Sequence, residues 1–149
     1  MPEASVKRLI ECKKEDLIRL VLDIEKYPEF VPWCINGKIH EIVNKGEVIE
    51  ITADLTIGKR FFRETYKSFV IYNKIKGTIS VTNIGGPLKH LKNNWSFKQV
   101  QKNSEIFFKI NFELKSKILN LLMIKSFDIG LKKIADAFEK RAIYLFNKV

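Results

Sequence analysis

Cysteine is scarce in this 149-residue chain: Cys12 and Cys34 are the only two. They make no disulfide framework and sit easily with a reducing compartment. Histidine is equally scarce. His40 and His90 do not form a His-x-x-x-His pair, and no Cys-x-x-Cys is present, so no zinc site shows at the customary spacing. The chain has no Walker loop, nucleophile elbow or dinucleotide fingerprint. Long apolar runs are missing as well. The longest, Ile118–Ile124, is interrupted by Asn120 and falls far short of the ~20 residues a membrane span needs. Met1–Val6 is not followed by the apolar stretch of a secretory leader. Without repeats, low-complexity tracts or a Pro/Gly-rich linker, residues 1–149 are expected to form one soluble domain.

Acidic residues are outnumbered, 17 against 27 Lys and Arg, for a net charge of +10. Such a surface suits RNA, ribosomes or anionic lipid headgroups. It also suits simple solvation, because the lysines are spread along the whole chain. Apolar residues make up 46%, which opposes disorder, and most of the eleven Phe are expected in a core or a pocket lining.

Periodicity organises the chain. Ser5–Glu11 reads as a first strand. Lys13–Ile24 carries Leu17, Leu20, Val21 and Ile24 at helical spacing, with Glu15 and Asp16 in the first turn, where the helix dipole favours them. Pro28 and Pro32 then rule out a continuous helix and place Tyr27, Phe30, Val31 and Trp33 on a short connector. From Ile35 to Leu114 the period is two. Strands are expected at Lys38–Val43, Glu47–Ile57, Arg60–Phe69, Lys74–Asn83, Asn94–Gln101 and Glu105–Leu114. Hairpin turns are expected at Asn44-Lys45-Gly46 and Gln101-Lys102-Asn103. Ile49, Ile51, Ala53 and Leu55 share one face of their strand. Ile84–Asn93 reads as a long loop carrying Leu88 and Leu91. After Ser116 a helix of about 45 Å is expected. Its apolar stripe runs through Ile124, Phe127, Leu131, Ile134, Phe138, Ala142 and Leu145.

Strands followed by one long amphipathic helix make an α+β domain with the helix laid across the sheet. One helical stripe cannot cover the concave face of a strongly curved sheet. Phe62, Tyr66, Ile79, Trp95, Phe97, Phe107, Ile110 and Phe112 are candidates for that inner face. They either leave a cavity or fill it as a solid core. The acidic residues Glu47, Glu50, Asp54 and Glu64 read as surface charge, not as an acid–base pair inside a pocket.

The segment Asp23-Ile24-Glu25-Lys26-Tyr27-Pro28-Glu29-Phe30-Val31-Pro32-Trp33-Cys34 resembles the early signature of the coenzyme Q-binding START-domain family, which belongs to the polyketide cyclase/dehydrase superfamily. Gly86-Pro87-Leu88-x-x-Leu91 with Trp95-x-Phe97 resembles that family's glycine-proline loop and the strand after it. Asn111–Ser116 and Ala137–Ala142 resemble its last strand and final helix. Leu88 stands where Phe is usual, and Glu64–Ser68 matches the central strand only loosely.

The resemblance implies a helix-grip (START/Bet v 1-like) fold: a curved antiparallel sheet of about seven strands, two short helices and a long C-terminal helix. It also implies an apolar tunnel for a lipid, ubiquinone or a similar isoprenoid, with no further cofactor and no catalysis. The tunnel would be lined by Phe30, Trp33, Phe62, Tyr66, Ile79, Leu88, Trp95, Phe97, Phe112, Phe127, Leu131 and Ile134. Trp33 either stacks on a ring at the mouth or plugs one end as core. Lys59, Arg60, Lys89, His90 and Lys92 would touch an anionic membrane or a phosphate-rich partner. Arg141 is expected to form an ion pair with Glu25 or Asp23. The family also contains bacterial ribosome association toxins, so binding to the large ribosomal subunit is the alternative. A monomer in the cytoplasm, peripheral at the inner membrane face, is the default expectation.

Overall fold

The structure is a computed structural model that describes residues 3–59, 62–84, 88–114 and 117–146, with the side chains of 59, 62, 88, 89, 112, 114 and 117–129 left outside that description. Chain order is β1 (Glu3–Ile10), α1 (Lys14–Leu22), a 3-10 helix (Ile24–Glu29), β2 (Cys34–Asn44), β3 (Val48–Lys59), β4 (Phe62–Asn73), β5 (Thr78–Asn83), β6 (Leu88–Val100), β7 (Asn103–Leu114) and α2 (Lys117–Phe146). The seven strands form one antiparallel sheet in the order β1-β7-β6-β5-β4-β3-β2. The helix-grip expectation holds.

Local chemistry sets the turns. Asn44 Oδ1 accepts the Gly46 N–H at 2.9 Å between β2 and β3. Val100 pairs with Asn103, leaving Gln101 and Lys102 as the two-residue β6–β7 turn, with Gln101 at φ 57°. The β4–β5 turn was not foreseen. Asn73 Oδ1 accepts the Ile75 and Lys76 N–H groups at 3.1 and 2.9 Å, and Gly77 takes φ 64°. This Asx turn shortens the expected Lys74–Asn83 strand to Thr78–Asn83. The expected long loop shortens too, since β6 begins at Leu88, and Leu91 is a buried core residue.

Strand parity divides the sheet. The concave face receives Ile49, Ile51, Ala53 and Leu55 of β3, as the alternation predicts, against Tyr72, Val70, Ser68 and Tyr66 of β4. On β7 the inward set is Ile106, Phe108 and Ile110; Phe107 lies on the convex face, 42% exposed, among Glu105, Lys109 and Asn111. Phe107 is therefore not an inner-face residue. Leu17, Leu20, Val21 and Ile24 are all buried, as their spacing predicts. Gly37 of β2 admits the 3-10 helix: a Cβ there would sit 2.4 Å from the Ile24 carbonyl oxygen.

The C-terminal half of α2 crosses β1. Arg8 Nη1, on the concave side of β1, donates to Asp136 Oδ1 at 2.6 Å and to Glu139 Oε1 at 3.1 Å. Leu131, Ala135, Phe138 and Ala142 are buried and Ile134 is half-buried, so the stripe leans toward Ala135. Leu145 departs from it at 38% exposure. Ile124 and Phe127 lie among the side chains outside the description.

Candidate functional site

The concave wall has two unlike halves. Toward the β6–β7 turn it is an aromatic plug. The Trp95 ring lies 4.2 Å from Phe108, 5.2 Å from Phe138 and 6.2 Å from Phe97, centroid to centroid. Phe138 also meets Phe30 at 5.1 Å and Tyr27 at 5.5 Å, both edge to face. Such pairs prefer offset and T-shaped geometry, and this cluster adopts it. The Tyr27 hydroxyl donates to the Val21 carbonyl and so ties the connector to α1. Phe30, Trp95 and Phe97 thus belong to solid packing, and Ile79 is fully buried beside them.

Toward the end where α2 departs, the wall changes character. Tyr66 faces inward opposite Leu55, and burial pushes its phenol well above the ordinary range, with Cys34 adding a smaller rise. Its hydroxyl makes no hydrogen bond to a described residue. Cys34, paired with Ile57, is pushed up to about 11 by burial, against a smaller lowering by the Asn36 backbone. Its thiol donates to the Asn36 carbonyl at 3.7 Å. A thiol so protonated is a poor nucleophile at neutral pH. Glu64, expected as surface charge, falls on the same concave parity, opposite Ile57, and is half-buried. Glu50 and Asp54 do lie on the convex face, bound to Lys45 and His40 at 2.9 and 2.8 Å.

Trp33 closes this end. It is half-buried and holds φ 64°, a left-handed conformation that is rare for an aromatic residue. Its carbonyl accepts the Gly58 N–H at 2.9 Å, fixing it to the end of β3. Its indole lies against Gly130 of α2, 3.5 Å from where a Cβ would stand. The ring therefore wedges between sheet and helix.

Outside the grip, Phe30, Pro32, Lys133, Asp136, Ala137, Lys140, Arg141 and Tyr144 line an open groove of about 580 Å³. Arg141 pairs here with Glu29 at 2.7 Å, not with Glu25 or Asp23. Glu25 instead accepts the Ile39 N–H at 3.1 Å. The Arg141 guanidinium also lies 5.2 Å from the Phe30 ring centroid, a cation–π contact. The hydrogen bond from Arg141 holds the Glu29 carboxyl below its ordinary range.

Of the expected lining residues, Ile79, Trp95, Phe97 and Leu131 are buried in the core and Ile134 packs against it; Tyr66 faces the concave side, Trp33 is half-buried against Gly130, and Phe30 bridges plug and groove. Phe62, Leu88, Phe112 and Phe127 have side chains outside the description. Of the expected surface contacts, exposed Lys92 and half-buried His90 sit on the convex face of β6, His90 opposite Glu113. They face away from the concave wall. The side chains of Lys59 and Lys89, all of Arg60, and the Gly86-Pro87 loop lie outside the described residues. Sequence reasoning missed the inward polar residues Ser68, Asn83 and Asn93, which only the pairing register reveals.

Residues 10–139 match the family described as polyketide cyclase / dehydrase and lipid transport. The chain belongs to that family. It is 36% identical over 139 residues to a ribosome association toxin of Rickettsia prowazekii, covering 91% of this chain and 92% of that protein. It is 33% identical over 131 residues to a mitochondrial coenzyme Q-binding protein of Dictyostelium discoideum, covering 86% of this chain and 62% of that protein. The chain thus spans under two-thirds of the latter's length. A START superfamily protein of Mycobacterium smegmatis superposes with a TM-score of 0.80 at 18% identity, over 96% of this chain and 98% of the other. That likeness concerns the fold. The family covers lipid transport and cyclase chemistry alike. Among the described residues no helix is long and apolar enough to cross a membrane, and no cluster of His, Cys, Asp and Glu could hold a metal ion.

Proposed function

We propose that this chain binds a hydrophobic lipid between the concave wall and α2, and that the ligand is an isoprenoid quinone of the ubiquinone type held without chemical change. The observation that carries this reading is Trp33, held at φ 64° with its indole wedged against Gly130. Strained backbone of this kind is kept where surrounding structure fixes it, and ligand clamps are a common setting. An isoprenoid tail needs no hydrogen bonds, because each buried CH2 contributes about 0.8 kcal/mol. Binding is favoured over turnover because His40, bound to convex-face Asp54, and His90 both lie away from the concave wall, the buried Tyr66 phenol stays protonated at neutral pH, and Glu64 is the lone described carboxylate on the upper part of that wall. Native mass spectrometry of protein purified from its host should show a retained lipid-sized mass. Protein that carries no quinone, and takes up none when it is offered, removes this reading.

A second reading has its own support in the +10 charge and in the toxin relative at 36% identity. On that reading the chain engages the large ribosomal subunit through its basic surface. Binding would then weaken steeply with salt through counterion release. Cosedimentation with ribosomes at moderate salt supports it; free protein at every salt concentration removes it.

A further inference from the structure

Four inward polar residues form a diagonal track across the upper concave wall: Tyr66 and Ser68 on β4, Asn83 on β5 and Asn93 on β6. Ser68 pairs with Asn83, and Asn93 lies opposite Val81 on one side and Ile110 on the other. The middle of the track is satisfied. The Ser68 hydroxyl donates to the Ala53 carbonyl at 3.3 Å, and Asn83 Oδ1 accepts the Leu91 N–H at 2.9 Å. One end is not: Asn93 Oδ1 is buried without a hydrogen-bond partner. At the other end Tyr66 faces inward opposite Leu55, its hydroxyl making no hydrogen bond to a described residue. Buried polar groups are almost always paired, so an unpaired amide flanked by Val81 and Ile110 needs a reason.

We propose that Asn93 and Tyr66 are the two anchoring points for the head group of the bound lipid, and that this head group is uncharged and carries oxygen substituents. The proposal rests on the lipid-binding reading above. At the Cα atoms the anchors are roughly 16 Å apart, from two strand spacings and four residues along the strand. They therefore address different substituents or neighbouring parts of one ligand. An amide can present its oxygen or its NH2, and a phenol can donate or accept, so hydroxyl and carbonyl oxygens both fit. An anionic head does not. Among the described side chains, Arg8 is the cation on the concave side of the strands, and Asp136 and Glu139 already hold it. Glu64, on the same wall as Tyr66, would repel a carboxylate or phosphate.

The test compares three probes by quenching of Trp fluorescence and by native mass spectrometry. They are a short-chain ubiquinone, oleate, and squalene, which has no head group. Wild type should bind the quinone at least tenfold more tightly than either of the others. Asn93→Leu and Tyr66→Phe should each weaken quinone binding about tenfold, the worth of one hydrogen bond, and leave squalene unchanged. Tyr66→Phe is near-isosteric and keeps the test alive if Asn93→Leu fails to fold. Quinone binding unaltered in the folded variants overturns the anchoring proposal and leaves the carrier reading standing. Oleate bound as tightly as quinone overturns the uncharged head. A wild-type chain that takes up no lipid overturns the carrier reading and this inference with it.

Discussion

The six-membered ring of Trp33 lies against Gly130, 3.5 Å from the position a Cβ would occupy on that residue. This is ordinary contact distance, so one methyl group fits and a larger side chain does not. Gly130→Ala should stabilise the protein by about 0.5–1 kcal/mol, because alanine is the better helix former. Gly130→Leu should displace the indole and destabilise by about 1–3 kcal/mol through overpacking. Denaturant unfolding measures both effects. Trp emission should stay in place for the alanine variant and shift for the leucine variant.

Phe138 joins the plug to the connector, touching Tyr27, Phe30 and Trp95 at 3% exposure. Phe138→Ala should cost about 3–5 kcal/mol, the range for emptying a packed aromatic site. Phe107→Ser, on the convex face, should change stability by no more than about 0.5 kcal/mol. Equal losses for the two variants would contradict the strand parity described here.

Phe107 also shows where sequence reading succeeds and where it stops. The polar set Glu105, Lys109 and Asn111 alternates with Ile106, Phe108 and Ile110, so Phe107 was legible as outward had the two Phe been weighed against their neighbours. Helix α1 was readable because four apolar residues at helical spacing have one way to be buried. Glu64 and Asn93 were harder. A polar residue within a strand reads as outward by default, and only bulge-free β3–β4 pairing places Glu64 opposite inward Ile57. The β4–β5 turn depended on the Asn73 side chain closing on two backbone N–H groups, a choice that local composition does not announce. Helix α2 was legible in extent, and its stripe shifted toward Ala135 because Arg8 and the two carboxylates it meets fix the helix's rotation on β1.

That Arg8 contact should be measurable in its own right. One guanidinium reaches Asp136 and Glu139 on successive turns of α2; Arg8 is 25% exposed, and the two carboxylates are 52 and 31% exposed. Solvent screening holds its worth to about 1 kcal/mol. Arg8→Met keeps the stem and should lose about that amount at low salt. The difference from wild type should shrink at 1 M salt, where the Debye length is about 3 Å. A loss that does not change with salt would mean that packing, not charge, joins β1 to α2.

The two thiols contribute to the alkaline limit of stability, alongside the buried phenols of Tyr27 and Tyr66. Burial raises both Cys12 and Cys34 to about 11 from an ordinary value of 9.0. The folded state therefore favours the protonated thiol. Below pH 9 both states are protonated and the contribution is complete. As pH climbs toward 11 the unfolded chain releases its protons first, and stability falls. Unfolding free energy should decline across that window, and Cys12→Ala/Cys34→Ala should flatten the decline. At pH 8 a thiol reagent should react slowly with native protein and rapidly with both cysteines once the chain is unfolded, because the thiolate is the reactive species. Fast reaction of Cys34 in the native state would show that its thiol is not held protonated by burial, and the upper end of the concave wall would then be open to water.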